Sequence, residues 1–430
     1  MGELSHAHPP TASDAAPPAR AGWSGWVLSK LSRVTSSGRF LPEIDGLRFL
    51  AIISVILLHV STVARQELVK DGTRGGFADA HETDWVGNIL HRGGVGVLVF
   101  FGISGFILAF PFALHHLEGA RKVRLKDYFI RRVTRLEPPY LVALVGMYAA
   151  LHLLGPRMGV PAEKMPGPEH LGASALYVHN VAFGEYSRVN GVAWSLEVEV
   201  QFYILAPALA LIFTLPKVVR RSILVSAILA GGFFKGGFDD VLRSYRLDMT
   251  LAGYLHCFLV GFLFADVFIT DWKQKPSHGS WRWDLAGLAG MAGILPAGGV
   301  TKDQVFANGL SHSAAYLPLF LVSNFVVFCA VFRGRLVRAF FTNAWIATIG
   351  GMCYSIYLIH QPMVHVLGKV TGRMVVGEAY WVNVLVQSVL IVPVVVALCA
   401  VFFVLIERPC MYKDWPQRLW SRVRRAAGAG

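Results

Sequence analysis

A series of apolar runs constrains this chain more than anything else in it. Each run is near the roughly 20 residues that a helix rising about 1.5 Å per residue needs to cross a hydrocarbon core. Only helices and closed barrels satisfy every backbone polar group in lipid, and these runs lack the alternation of barrel strands. The sequence therefore predicts an all-α integral membrane protein, a bundle of about ten transmembrane helices. The spans are expected near residues 47–64, 94–114, 136–155, 193–215, 222–234, 251–270, 284–300, 313–332, 343–368 and 382–406. Composition agrees: the 430 residues are 54% hydrophobic and only 16% charged, more apolar surface than a water-soluble fold can cover.

Basic residues mark the cytoplasmic ends of spans. With the N-terminus inside, roughly two-thirds of the 40 Lys and Arg residues fall on the cytoplasmic side, so both termini are expected there. The net charge of +13 is then a matter of topology and anionic lipid, with no nucleic acid implied. Residues 1–40 read as a disordered to interfacial cytoplasmic tail, 41–410 as the membrane domain and 411–430 as a basic cytoplasmic tail. Residues 1–22 hold no apolar core of a signal peptide, and Trp23, Trp26, Val27 and Leu31 are expected along the interface. Cys257, Cys329, Cys353, Cys399 and Cys410 lack CxxC or ligand spacing, so neither disulfides nor a metal site is expected. There is no strong internal repeat of the kind found in many transporters.

Ionisable groups inside spans are costly and mark chemistry or a pathway. Arg48 and His59 stand eleven positions apart in the first span, within roughly 20° of the same helix face and roughly 16 Å apart along it. Arg48 also suits an interfacial anchor and His59 a hydrogen-bonded core histidine. Glu197 and Glu199, near the outer end of the fourth span, diverge by about 200°, so one is expected to face a cavity and the other water. His360 in YSIYLIHQP reaches a depth similar to His59, with a structural network as its plainer role. In FFGISGFIL, Gly102, Ser104 and Gly105 favour close helix packing over a catalytic serine. The segment Ala120 to Tyr140 reads as a cytoplasmic loop whose cluster, including Arg131, Arg132 and Arg135, suits phosphate groups as well as topology.

Taken in order, EIDGLR with the Arg48 to His59 interval, FFGISGFIL, YFIRRVTRLEPPY, WSLEVEVQFY, YSIYLIHQP and the terminal ERP at Glu407 to Pro409 resemble the acyltransferase-3 family of bacterial membrane O-acyltransferases. The resemblance runs from about Pro42 to Pro409. It departs at one place: the family's usual pair of adjacent glutamates falls on Glu199 and Val200. The resemblance implies an acyl-CoA donor, most often acetyl-CoA, bound through Arg48, Arg131, Arg132 and Arg135. It implies an acceptor hydroxyl on a glycan, lipid-linked saccharide or small natural product. His59 is then expected to act as general base with Glu199 orienting it, Arg48 at the donor entrance and His360 in support. Asp45, Trp194, Ser195 and Tyr354, from the same motifs, are expected to contact substrate or hold these groups. An acyl-histidine intermediate stays open. A rival reading is a secondary transporter of an anionic compound, with Arg48 and His59 as substrate and proton site.

Overall fold

The computed structural model describes residues 22–34, 40–70, 84–242, 249–295, 310–372, 374–412 and 414–427. Of the tail expected over residues 1–40, residues 1–21 and 35–39 lie outside these. Among the described residues there are helices and no strands. The helices used below are α1 Trp23–Leu31, α2 Pro42–Lys70, α3 Trp85–His91, α4 Val95–Glu118, α5 Leu125–Leu154, α6 Trp194–Leu209, α7 Lys217–Leu242, α8 Leu251–Thr270, α9 Trp281–Ile294, α10 Leu310–Arg333, α11 Ala344–Gly351, α12 Cys353–Thr371, α13 Tyr380–Phe402 and α14 Trp415–Ala427.

Six segments among the described residues are long and apolar enough to cross a membrane: Pro42–Val69, Trp85–Glu118, Leu125–Leu154, Gly191–Thr214, Leu251–Thr270 and Tyr380–Cys410. Over their described residues the ten expected spans fall on helices, but the four near 222–234, 284–300, 313–332 and 343–368 are not among these six. The expected span 284–300 is a helix of 14 residues, with residues 296–300 outside the described part. The expected span 343–368 is two helices, not one, because Met352 closes α11 and α12 restarts at Cys353. The segment read as a loop from Ala120 to Tyr140 is mostly helix. It turns helical at Leu125, with Asp127 in the first turn and Pro138 and Pro139 accommodated inside.

Helix α2 is the centre of the bundle, packed against α4, α11, α12 and α13. One apolar cluster lies on its α4 side and joins α4, α6, α8 and α10; a second lies between α2, α5, α12 and α13. The outer faces keep large apolar side chains exposed, for example Leu385, Val389, Val401 and Leu405, as a lipid-facing surface does. Small residues allow close crossings. A Cβ on Gly105 would stand 2.0 Å from the Phe258 carbonyl oxygen, and one on Gly261 would stand 2.1 Å from that of Gly102. The packing role expected for Gly102 and Gly105 is thus realised as α4 against α8. Gly105→Leu should force these helices apart, costing about 1–3 kcal/mol or more. A lowered unfolding temperature in detergent would be the expected sign; unaltered stability would mean the crossing tolerates a shift.

One end of the bundle collects the charged ties. Arg338 meets Glu43 at 3.0 Å, Arg220 meets Asp266 at 2.5 Å and Lys217 meets Asp271 at 2.5 Å. Arg408 donates to the Ser32 carbonyl at 3.1 Å and the Trp415 indole to the Thr134 carbonyl at 2.9 Å. The last two bonds hold the C-terminal segment against the residue after α1 and against α5, and this basic end frames the site.

Candidate active site

The first turn of α2 places Asp45 and Arg48 three residues apart, on neighbouring positions of one face. Asp45 is fully buried and accepts from Arg48 at 2.6 Å, while Arg33, following α1, meets its second oxygen at 3.1 Å. A buried carboxylate of this kind is tolerable because two guanidinium groups surround it. Opposite, α5 carries Arg131 and Arg135 one turn apart with Arg132 beside them. All five arginines line a cavity of about 610 Å³. Its acidic lining is limited to Glu199 and Glu407, and Glu407 is already engaged by the Ser355 amide at 3.0 Å and hydroxyl at 2.5 Å. The Arg135 Nε is buried with no hydrogen-bond partner among the described residues. A cavity with surplus, partly unsatisfied guanidinium groups is suited to phosphate oxygens.

Farther in, the cavity is bounded by Ser104, Ser195, Glu199, Tyr203, Tyr354 and Tyr357. Ser104 donates to Glu199 Oε1. The Tyr357 hydroxyl is shared between Ser195, at 2.6 Å, and the Val192 carbonyl. Behind Tyr357 lies a histidine pair: the Tyr357 and His360 rings are 6.0 Å apart, and the His360 and His59 rings 5.2 Å apart. His360 is fully buried, with Nδ1 3.0 Å from the Ile356 carbonyl and 2.9 Å from that of Tyr357. Carbonyls only accept, so Nδ1 carries the proton and Nε2 is left as an acceptor, without a partner among the described residues. His59 is partly buried.

The fold thus brings Arg48, Arg131, Arg132, Arg135, Ser195, Glu199 and Tyr354 to one cavity and sets His59 beside His360 just past its inner wall. Asp45 stands behind Arg48 rather than in the cavity. Trp194 is not at the site; its ring packs on Tyr254 and Phe101 at 5.3 and 6.2 Å. The hydrogen bond of Glu199 goes to Ser104, not to His59, so the neighbour that can orient His59 is His360. Glu197 does not face water. It is buried and accepts the Asn180 amide at 2.9 Å, which ties the segment before α6 over the helix end. The side chains that sequence reasoning did not assign are Arg33, Ser104, Tyr357 and Glu407. Three of them lie inside motifs already singled out, FFGISGFIL, YSIYLIHQP and ERP, whereas Arg33 carried no signal.

A family model described as an acyltransferase domain matches residues 41–404. The chain belongs to the acyltransferase-3 family. O-acetyltransferase OatA of Staphylococcus aureus strain NCTC 8325 / PS 47 is 23% identical over 349 residues, 76% of this chain and 51% of the relative. OatA of strains COL and MW2 stands at the same 23% over the same 349 residues. The chain therefore spans about half the length of these curated relatives. No solved structure matches it. Each of the motifs quoted above contributes residues to the wall of the cavity just described.

Proposed function

We propose that this chain is a multi-pass O-acyltransferase of a bacterial cytoplasmic membrane, moving an acyl group, most simply acetyl, from acyl-CoA to an acceptor hydroxyl. A glycan, a lipid-linked saccharide or a small natural product would present that hydroxyl. The observation that carries the reading is the arginine cavity ending one aromatic ring short of a histidine pair. The CoA phosphates would lie among Arg33, Arg48, Arg131, Arg132 and Arg135 at the basic end, with the pantetheine arm directed toward Tyr357. The Tyr357 ring would turn aside to pass the thioester to His59.

In this mechanism the acceptor oxygen attacks the thioester carbonyl as His59 takes its proton; the new C–O bond forms and the C–S bond breaks. The CoA thiolate leaves and receives that proton back from the imidazolium. His360, fixed by its two carbonyl contacts, would hold the facing ring of His59. Glu199 and Ser104 would position the thioester at the cavity's inner wall. Acceptor-dependent CoA release by purified protein in nanodiscs tests the function, and none with any hydroxyl acceptor from the native envelope would end it. Acid quench with labelled acyl-CoA and no acceptor separates direct transfer, which leaves the protein bare, from an acyl-histidine route. Counterflow of an anion without acyl-CoA would instead favour transport, a reading that family membership disfavours.

Glu199→Gln distinguishes positioning from donor binding. Loss of one charge-assisted hydrogen bond should lower kcat about tenfold or more. Removing a negative charge from a phosphate-binding cavity should leave the half-saturating acyl-CoA concentration unchanged or lower it. A raised half-saturating concentration with normal kcat would move Glu199 out of the chemical step.

A further inference from the structure

A second cavity, of about 170 Å³, lies between α5 and α6 and is lined by Phe129, Val133 and Leu136 from one helix and Leu196, Val200 and Ile204 from the other. It has a common wall with the arginine cavity: Arg132, Glu199, Tyr203 and Tyr354 line both. Its other rim is on the outside of the bundle, where Val133 is 54% and Ile204 66% exposed. In a chain that spans a bilayer, such exposed apolar side chains meet lipid. The cleft therefore faces the hydrocarbon on one side and shares the inner wall of the donor cavity on the other.

Its surface is mostly carbon although several of its residues are polar, because their polar atoms are turned to one another. The Tyr177 hydroxyl donates to Glu137 at 3.2 Å, the Tyr354 hydroxyl to the Leu136 carbonyl at 2.8 Å, and Ser104 to Glu199. The Arg132 guanidinium lies over the Tyr203 ring, 5.4 Å from its centroid. Val200 adds an apolar side chain to this wall.

We propose that this cleft receives the alkyl part of the donor's acyl group, so that the enzyme accepts chains longer than acetyl, with Val133 and Val200 as specificity-determining residues. The proposal rests on the arginine cavity being the acyl-CoA site. An alkyl chain is the occupant because the cleft is lined mostly by carbon, and a chain gains affinity by leaving water for such a surface. The chain belongs to the donor because the cleft shares Glu199 and Tyr354 with the donor cavity, and His59 and His360 are not among its walls. A long-chain acyl-CoA held by its phosphates at the basic end would already have its tail in the same half of the membrane.

Each buried methylene should tighten binding about three- to fourfold. Displacement of labelled acetyl-CoA from the full-length protein in nanodiscs, by acetyl-, butanoyl- and octanoyl-CoA, reads this directly. Octanoyl-CoA should bind at least tenfold tighter than acetyl-CoA in the native protein. Val133→Trp, at the lipid-facing rim, and Val200→Glu, in the wall, should each shrink that ratio at least fivefold. Bilayer partitioning of the longer chain is common to all three proteins and drops out of the comparison. A ratio near one in the native protein, or one that survives both substitutions, overturns the cleft while leaving the donor cavity intact. Failure of every acyl-CoA to bind overturns the donor reading, and the cleft with it. Val133→Trp that binds all donors normally but loses transfer to a lipid-linked acceptor alone would assign the cleft to the acceptor and also overturn the proposal.

Discussion

His59→Ala lowers acyl transfer by about a hundredfold or more, the usual contribution of a general base, while the protein inserts and purifies as before. Both halves of this expectation have a structural reason. His59 meets the His360 ring at 5.2 Å, so its loss removes the imidazole assigned to take the acceptor's proton. Its loss also removes an ionisable group from an apolar span, which favours insertion. Initial rates of acceptor-dependent CoA release, read beside a size-exclusion profile, separate these effects. Residual turnover within tenfold of the native enzyme would take the base away from His59 and pass it to His360, whose unpartnered Nε2 is the remaining candidate.

Replacing Arg131, Arg132 and Arg135 together with glutamine raises the acyl-CoA concentration for half-maximal rate by about a hundredfold or more, since hydrogen bonds to charged groups are each worth about 1.5–3 kcal/mol. The same change flattens the salt dependence of donor binding, because fewer charges remain to be screened. These three are a better test than Arg48 or Arg33. The latter pair encloses buried Asp45, so removing either leaves a carboxylate short of its counterion and mixes folding with binding. On α5, by contrast, Arg135 Nε has no hydrogen bond to lose, and Arg132 rests over tyrosine rings. Donor dependence that does not move would return these residues to a topological role.

The sequence alone carried the helical membrane class, because apolar runs of spanning length leave lipid-compatible backbones few alternatives. It also carried most of the site, because the residues that pay for burial in an apolar helix stand out against it: Arg48, His59, Glu199 and His360 were all visible. Helix periodicity told that Glu197 and Glu199 diverge, and they do. Partners across the bundle were not legible, because they depend on how helices rotate against one another. Glu199 pairs with Ser104 rather than His59. Glu197 turns beneath a covering segment instead of to water. Trp194 packs among aromatic rings away from the cavity. Nor could hydropathy see that Arg131, Arg132 and Arg135 belong to a helix, since cationic turns at a membrane surface read the same as a loop. The sequence by itself determined the class of fold, the residues whose burial demands a reason and their order along the chain. Only the tertiary structure decided that five arginines converge on one cavity, that Tyr357 stands between it and the histidines, and that a second cleft faces the lipid, because each depends on contacts between residues far apart in the chain.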